Sequence, residues 1–364
     1  MADNSLLHNA KAGKKDNFFT QYEDIEAEMN AYIEYNKDVF RNKTILCPCD
    51  DPDFSNFTLY FAANFERLGL KKLISTSYAK SGLHQIPLLQ SDGSQVDQEY
   101  NETHGKVFIL ERDTNKSGRI DYNDIEVHYL EGNGDFRSEE VTKLRDEADV
   151  IITNPPFSLF RTFIAWIMSA NKQFIILGNI NAVTYKEVFP LIKDNKMWLG
   201  DSIHSGDRKF TVPDDYPLEA AGCGVDELGR RYIRVKGVRW FTNIDHGGRH
   251  EPLQLMTKRE NLKYNKKLIK KLQNDYGILE YPHYDNYDAI EVPVTDAIPS
   301  DYDGVMGVPI TFLDKFCPEQ FNILGLDRYI EDNPHYGHRF TIASKETYAR
   351  VLIKALDLNN KKEM

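Results

Sequence analysis

The chain has 364 residues, 41% of them hydrophobic, enough to bury one large core and leave room for a second, smaller domain. No run of about 18 apolar residues occurs, and the opening MADNSLLHNAKAGKKDN has no apolar signal-peptide segment, so neither membrane insertion nor secretion is expected and the cytoplasm is the default location. A formal net charge of −11 excludes indiscriminate coating of nucleic acid but permits a local basic face. Cys47, Cys49, Cys223 and Cys317 contain one C-x-C pair and no second pair at metal-ligand spacing, so they read as free thiols and no metal site is expected.

In chain order, a polar head precedes YEDIEAEMNAYIEYNKDVF (22–40), which has helical spacing, and the apolar run TILCPC (44–49) reads as a first strand. SNFTLYFAANFERLG (55–69) carries apolar and aromatic residues at helical intervals between a candidate N-cap, Ser55, and a stop, Gly69. KKLISTSY (71–78) is a second strand, and KVFILER (106–112) and IEVHYL (125–130) are two more joined by a turn. EVTKLRDEA (140–148) is a short helix before the strand in DVIITNPPF (149–157); RTFIAWIMSANKQ (161–173) and FIILGNI (174–180) follow as helix and strand. Strands alternating with helices predict an α/β fold with a mostly parallel sheet covered on both faces. Ligands of such sheets bind beyond the carboxyl ends of the strands, where NPPF falls.

Asn154 stands at the exit of VIIT, where its amide oxygen can accept a hydrogen bond from an amino group. The rings of Pro155 and Pro156 hold φ at about −65° and stiffen the loop. The Pro155 carbonyl is a second acceptor and Phe157 a flat face, so the tetrapeptide suits an exocyclic amine on a planar ring. A plainer reading is that Pro-Pro ends a strand and Phe157 packs into the core.

NPPF resembles the Asn/Asp-Pro-Pro-Tyr/Phe motif of the S-adenosyl-L-methionine-dependent amino-methyltransferases. CPCDDPDFSNFTLYFAANFERLGLKKLISTSY (47–78), GVRWFTNID (237–245) and DYDGVMGVPITFLDKF (301–316) are similar to the EcoRI-type adenine-specific DNA modification methylases, and this likeness runs over most of the chain. The resemblance implies a Rossmann-like class I methyltransferase sheet, with Asn154, Pro155, Pro156 and Phe157 as the catalytic motif. It implies that KDNFFTQYEDIEAE (15–28) closes over the methionine end of the cofactor through Phe19 and Thr20, and that DDPDFSNF (50–57) supplies the cofactor loop with Asp50, Asp51 and Pro52. Ser55 and Asn56 stand there in place of small glycines, and the second strand ends in Thr76, Ser77 and Tyr78 without an acidic ribose ligand. In GNGDFR (132–137) it implies Asp135 on the amino group and Phe136 on the ring of the cofactor's adenine.

The chemistry suits these residues. The amino nitrogen of adenine is a poor nucleophile because its lone pair is delocalised into the ring. Acceptors on both amino hydrogens draw the nitrogen toward sp³ character, so orientation and electrostatics do the work without a strong base. The base must first leave the duplex, with Phe157 stacking on it.

DTNKSGRIDYND (113–124) places Asp113, Asn115, Ser117, Gly118, Ile120 and Asp121 nearly as in an EF-hand loop, but its flanks read as strands and position twelve is Asp124. A polar turn is the better reading.

Beyond about residue 195 the alternation fades, which predicts a catalytic domain over 1–195 and a target-recognition region over 196–364. Basic residues concentrate in RRYIRVKGVRW (230–240) and KRENLKYNKKLIKK (258–271), with aromatics interleaved, so Arg231, Arg234, Lys236, Arg239, Lys263 and Lys266 are candidate DNA contacts. Residues 272–314 hold nine acidic residues and no Lys or Arg, and are expected to face away from DNA. RWFTN (239–243) is either a base-reading loop or a core strand, and His246, Gly247 and Gly248 suggest a mobile turn.

The expected activity is sequence-specific adenine-N6 methylation of double-stranded DNA, in modification of host or phage DNA alongside a cognate restriction endonuclease that acts on the same site without stable binding. The alternatives are an RNA adenine or protein glutamine methyltransferase, and an inactive cofactor-binding DNA-binding protein.

Overall fold

The structure is a computed structural model that describes residues 18–51, 55–79, 103–214, 216–219, 221–330 and 337–356. It divides into two compact units, one made of residues up to 179 with 205–245, the other of 180–204 with 246 onward. The single boundary expected at 195 is thereby corrected. The reason is strand pairing, because residues 205–245 supply partners to strands near the N-terminus and in the main sheet.

The first unit contains β1 (Phe19–Thr20), α1 (Tyr22–Tyr35), β2 (Thr44–Cys47), α2 (Asn56–Ala63), β3 (Lys72–Ser77), β4 (Lys106–Leu110), β5 (Glu126–Tyr129), α3 (Glu139–Glu147), β6 (Val150–Thr153), α4 (Phe160–Met168) and β7 (Gln173–Asn179). It continues with β8 (Asp207–Thr211), β9 (Gly224–Val225), β10 (Arg231–Lys236) and β11 (Val238–Thr242). Its main sheet runs in the order β5-β4-β3-β2-β6-β7-β11. β2 is parallel to β3 and β6, and β6 to β7, whereas β4, β5 and β11 are antiparallel to their neighbours. The predicted parallel character therefore holds at the centre. Every residue of β2 and of β6 is buried, as covered faces on both sides require.

Ser55 caps α2, its hydroxyl accepting from the Phe57 amide at 3.2 Å. The helix predicted through residue 69 is interrupted at Asn64, whose side-chain amide donates to the Tyr60 carbonyl at 2.8 Å. A further turn, Phe65–Leu68, ends at Gly69 with φ of 63°.

RWFTN is a core strand. All of β11 is buried, with Trp240 edge-on to Phe57 at 6.0 Å and Phe241 tilted on Phe160 at 5.0 Å. Gly178 of β7 makes room for this stack, since a Cβ there would lie 2.4 Å from the Phe160 ring. Arg239 is 4% exposed and its guanidinium donates to the Val238 carbonyl, so the candidate DNA contact is corrected to a buried strand residue.

A second sheet, order β1-β8-β10-β9, is antiparallel. Ile233 and Val235 of β10 point inward, and Arg234 and Lys236 outward. In the 113–124 turn, Asp113 accepts from the Ser117 and Gly118 amides, and Asp124 from those of Thr114, Asn115 and Asp121. Their carboxylates are turned onto the loop's own backbone.

In the second unit, Phe189–Lys193 (α5), Lys258–Tyr264 (α6) and Lys266–Tyr276 (α7) accompany a sheet of β12 (Ile290–Glu291), β13 (Met306–Pro309), β14 (Phe321–Leu326) and β15 (Arg350–Ala355), order β12-β13-β15-β14. α7 buries Leu268 and Leu272 and turns Lys266, Lys267 and Lys270 to solvent. Fully buried Glu291 takes the Arg350 guanidinium in a fork, with the Tyr284 hydroxyl as a further donor. At the turn expected around 246–248, a 3-10 turn runs over Gly247–His250, and buried His246 before it meets the Leu199 carbonyl at 3.0 Å. No helix among the described residues is long and apolar enough to cross a membrane.

Candidate active site

The candidate site lies where β2, β3 and β6 end, and is closed by β1. Asn154 follows the last residue of β6, and its side-chain amide donates to the Phe18 carbonyl at 2.7 Å. Its Oδ1 is buried and has no hydrogen-bond partner. A buried acceptor without a donor costs on the order of 1–3 kcal/mol, which a ligand amino group would recover. Pro155 is buried, and Phe157 is half-buried at the start of a 3-10 turn, its ring edge-on to Phe18 at 6.1 Å. Phe18 is held in turn by Phe210 and Tyr216.

The loop after β2 is locked onto the same place. Asp50 is buried, accepts from the Ser55 hydroxyl at 3.0 Å and receives the Thr153 hydroxyl, while its amide donates to the Thr76 carbonyl at 2.9 Å. Burial pushes its carboxyl up to about 7 against the pull of the Thr153 and Ser55 hydroxyls. The carbonyl of buried Asp51 accepts from the Ser55 amide at 2.6 Å. Pro52 lies outside the described residues. Cys49 takes a left-handed φ of 68°, which a non-glycine residue adopts only under constraint.

Ser55 and Asn56, which replace glycines in the resembling loop, have defined jobs. Ser55 caps a helix and bonds Asp50, and the Asn56 side chain donates to the Thr20 carbonyl at 2.6 Å. A circuit results, running from Asn154 to Phe18, along β1 to Thr20, through Asn56 and Ser55 to Asp50, and through Thr153 back to Asn154. Buried hydroxyls of Thr20 and Thr76 have no partner, and with Asn154 Oδ1 they leave hydrogen-bonding capacity for a polar ligand. Phe19 and Thr20 pair with Thr211 and Phe210, so β1 belongs to the sheet that carries Arg231, Arg234 and Lys236.

GNGDFR approaches the end of β3. Gly134 has φ of 79°, and a Cβ there would fall 2.1 Å from the Ser77 carbonyl oxygen, so glycine is obligatory. The Asp135 carboxylate is gripped by the Arg137 guanidinium at 2.6 and 2.9 Å, which holds it below the usual carboxylate range. The Phe136 ring, expected on the ring of the cofactor's adenine, is buried edge-on to Phe163 and Trp166.

Arg234 and Lys236 are exposed, Arg234 3.4 Å from Asp207; Arg231 donates to the Tyr216 carbonyl at 2.8 Å. Lys263 and Lys266 are exposed on helices of the second unit, so the structure does not gather the six candidate contacts into one unit. Sequence reasoning missed Phe18 and Thr153, and met Asn56 only as a departure from glycine. Thr153 and Phe18 each adjoin a predicted site residue, and that adjacency was the available signal.

The model of the family "Adenine-specific methyltransferase EcoRI" matches residues 6–360. The chain is 41% identical to "Type II methyltransferase M.EcoRI" of Escherichia coli over 97% of each chain. It is 33% identical to "Type II methyltransferase M.MgeORF184P" of Mycoplasma genitalium, over 96% of this chain and 98% of the relative. It is 31% identical to "Type II methyltransferase M.MpnI" of Mycoplasma pneumoniae, over 96% and 97%. No solved structure matches. Matched by the family model over residues 6–360 and 41% identical to a relative over 97% of its length, the chain belongs to the EcoRI family of adenine-specific methyltransferases.

Proposed function

We propose that this adenine-specific methyltransferase modifies the N6 amino group of an adenine rotated out of double-stranded DNA, on a Rossmann-like class I sheet, with S-adenosyl-L-methionine as methyl donor. The observation that carries the reading is Asn154 Oδ1, buried and unpartnered beside Phe157. Asn154 Oδ1 and the Pro155 carbonyl accept the two amino hydrogens, and Phe157 lies against the flipped base. Holding both hydrogens restores the nitrogen lone pair, and the surplus proton of the methylated, cationic nitrogen passes to water, so no dedicated strong base is needed.

When bound, the cofactor supplies an electrophilic sulfonium methyl. The unsatisfied Thr20 and Thr76 hydroxyls would hold its polar groups, with Phe19, Asp50, Asp51, Pro52 and Asp135 as further holding residues. Arg231, Arg234 and Lys236 of the first unit and Lys263 and Lys266 of the second supply phosphate contacts. A protein that modifies one site protects it from a cognate restriction endonuclease acting on the same sequence, with no stable complex required.

Nucleoside mass spectrometry on duplex DNA incubated with S-adenosyl-L-methionine tests the reading. N6-methyladenine made by the wild type and lost in Asn154→Ala supports it. A methylated product on RNA or on protein glutamine, with none on any duplex of mixed sequence, overturns it.

A further inference from the structure

The side-chain nitrogen of Asn154 is committed to the Phe18 carbonyl at 2.7 Å, and the oxygen is left buried and unpartnered. A carboxamide can flip, exchanging N and O, at little steric cost. Flipped here, it would set two carbonyl oxygens against each other on one side and offer an N–H donor on the other. The Phe18 carbonyl therefore selects the orientation in which an acceptor faces the site.

That carbonyl is itself held by backbone and packing. It precedes β1, which pairs with β8, and its ring is packed on Phe157, Phe210 and Tyr216. Gln21 ties the far side of β1 to the Thr211 hydroxyl at 3.1 Å.

We propose that the main-chain carbonyl of Phe18 is a positioning group for methyl transfer, which fixes the Asn154 carboxamide with Oδ1 toward the amino group of the target adenine. The inference rests on the adenine-N6 reading above. It makes a nitrogen at the position facing Phe18, or a proton there, a requirement for turnover. An ionised carboxylate at 154 meets that carbonyl oxygen to oxygen. A protonated one restores the bond by donating its hydrogen to Phe18 and leaving the second oxygen as acceptor.

The near-isosteric variant Asn154→Asp separates the possibilities. Among the described residues the titratable groups around it include Asp50, reached through Thr153, Asp51 and Cys49 of the same loop, and Tyr216, packed on Phe18, and the wild-type profile controls for all four. The kcat of the variant for duplex methylation is expected to rise at least tenfold, relative to wild type, as pH falls from 8.5 toward 5.5 (about one decade per unit while pH lies above the variant's pKa, levelling off below it), with the DNA KM changed less than twofold. A profile parallel to wild type overturns the inference, as does a variant inactive at every pH that still binds S-adenosyl-L-methionine. If the variant does not fold, a second protein decides: an ester in place of the Phe18–Phe19 amide weakens the carbonyl as an acceptor. A severalfold loss of kcat at unchanged KM then supports the inference, and unchanged kcat overturns it. Failure of the adenine-N6 reading is distinguishable, because the wild type itself would then make no N6-methyladenine.

Discussion

Thr153 and Asp50, 103 positions apart in the chain, meet through the Thr153 hydroxyl, which also faces the Pro48 carbonyl. One hydroxyl hydrogen thus lies between two acceptors, and a proton on Asp50 satisfies both contacts. The loop after β2 and the residue before Asn154 are joined by this shared group.

Asp50 therefore gives stability a defined pH dependence. Its folded pKa, about 7, lies above the value near 3.8 of an unperturbed side chain. The unfolded chain releases this proton first, so the contribution is complete below pH 4, declines as pH rises toward 7 and is gone above it. Urea titrations from pH 4.5 to 8 should show wild type losing a few kcal/mol relative to Asp50→Asn across that window. Parallel curves for the two proteins would refute the assignment.

Asn154→Ala should lower kcat by about 10² to 10³, the effect of removing one oriented electrostatic group from a reacting centre. Cofactor affinity, measured by calorimetry, should stay within a few-fold, because the Phe18 carbonyl and the Asp50 loop remain.

Gly134→Ala should be severe. The methyl group would meet the Ser77 carbonyl in a left-handed backbone conformation, with backbone on both sides of the clash. A cost above about 2 kcal/mol is expected in thermal melts, together with weaker cofactor binding as Asp135 shifts. An unchanged melting temperature would contradict the packing described.

The basic residues should separate by burial. Lys236→Ala, on the outer face of β10, should weaken duplex binding and reduce the log–log salt slope by about 1. Arg239→Ala should leave that slope unchanged and lower the melting temperature, since its guanidinium lies inside the sheet. Filter binding from 50 to 250 mM salt (about the range over which phosphate contacts dominate) distinguishes the two.

Local pattern carried much of the first unit. The runs at Thr44–Cys47, Lys72–Ser77, Val150–Thr153 and Gln173–Asn179 lie almost where periodicity placed them, because strands covered on both faces must be apolar throughout. Capping chemistry at Ser55 and Gly69 was also legible, but the break at Asn64 was not, since it depends on one side chain turning back on the helix. Arg239 misled because charge says nothing about burial, and its strand lies wholly buried in a sheet whose partner, β7, is some 60 positions upstream. Phe18 escaped notice for a different reason. Its contribution is a main-chain carbonyl, which any residue would provide, and only the backbone path brings it to Asn154.

The way the chain is divided between its units also governs how such proteins can be recombined. The polypeptide leaves the first unit at 179, re-enters it at 205 and leaves again at 245. A chimera of two relatives joined at one point near 195 would exchange the strand bearing Trp240 and the one that pairs with Phe19 and Thr20 along with the second unit. The second unit of this chain cannot be swapped intact at a single junction; grafts must keep 205–245 with the parent that supplies NPPF.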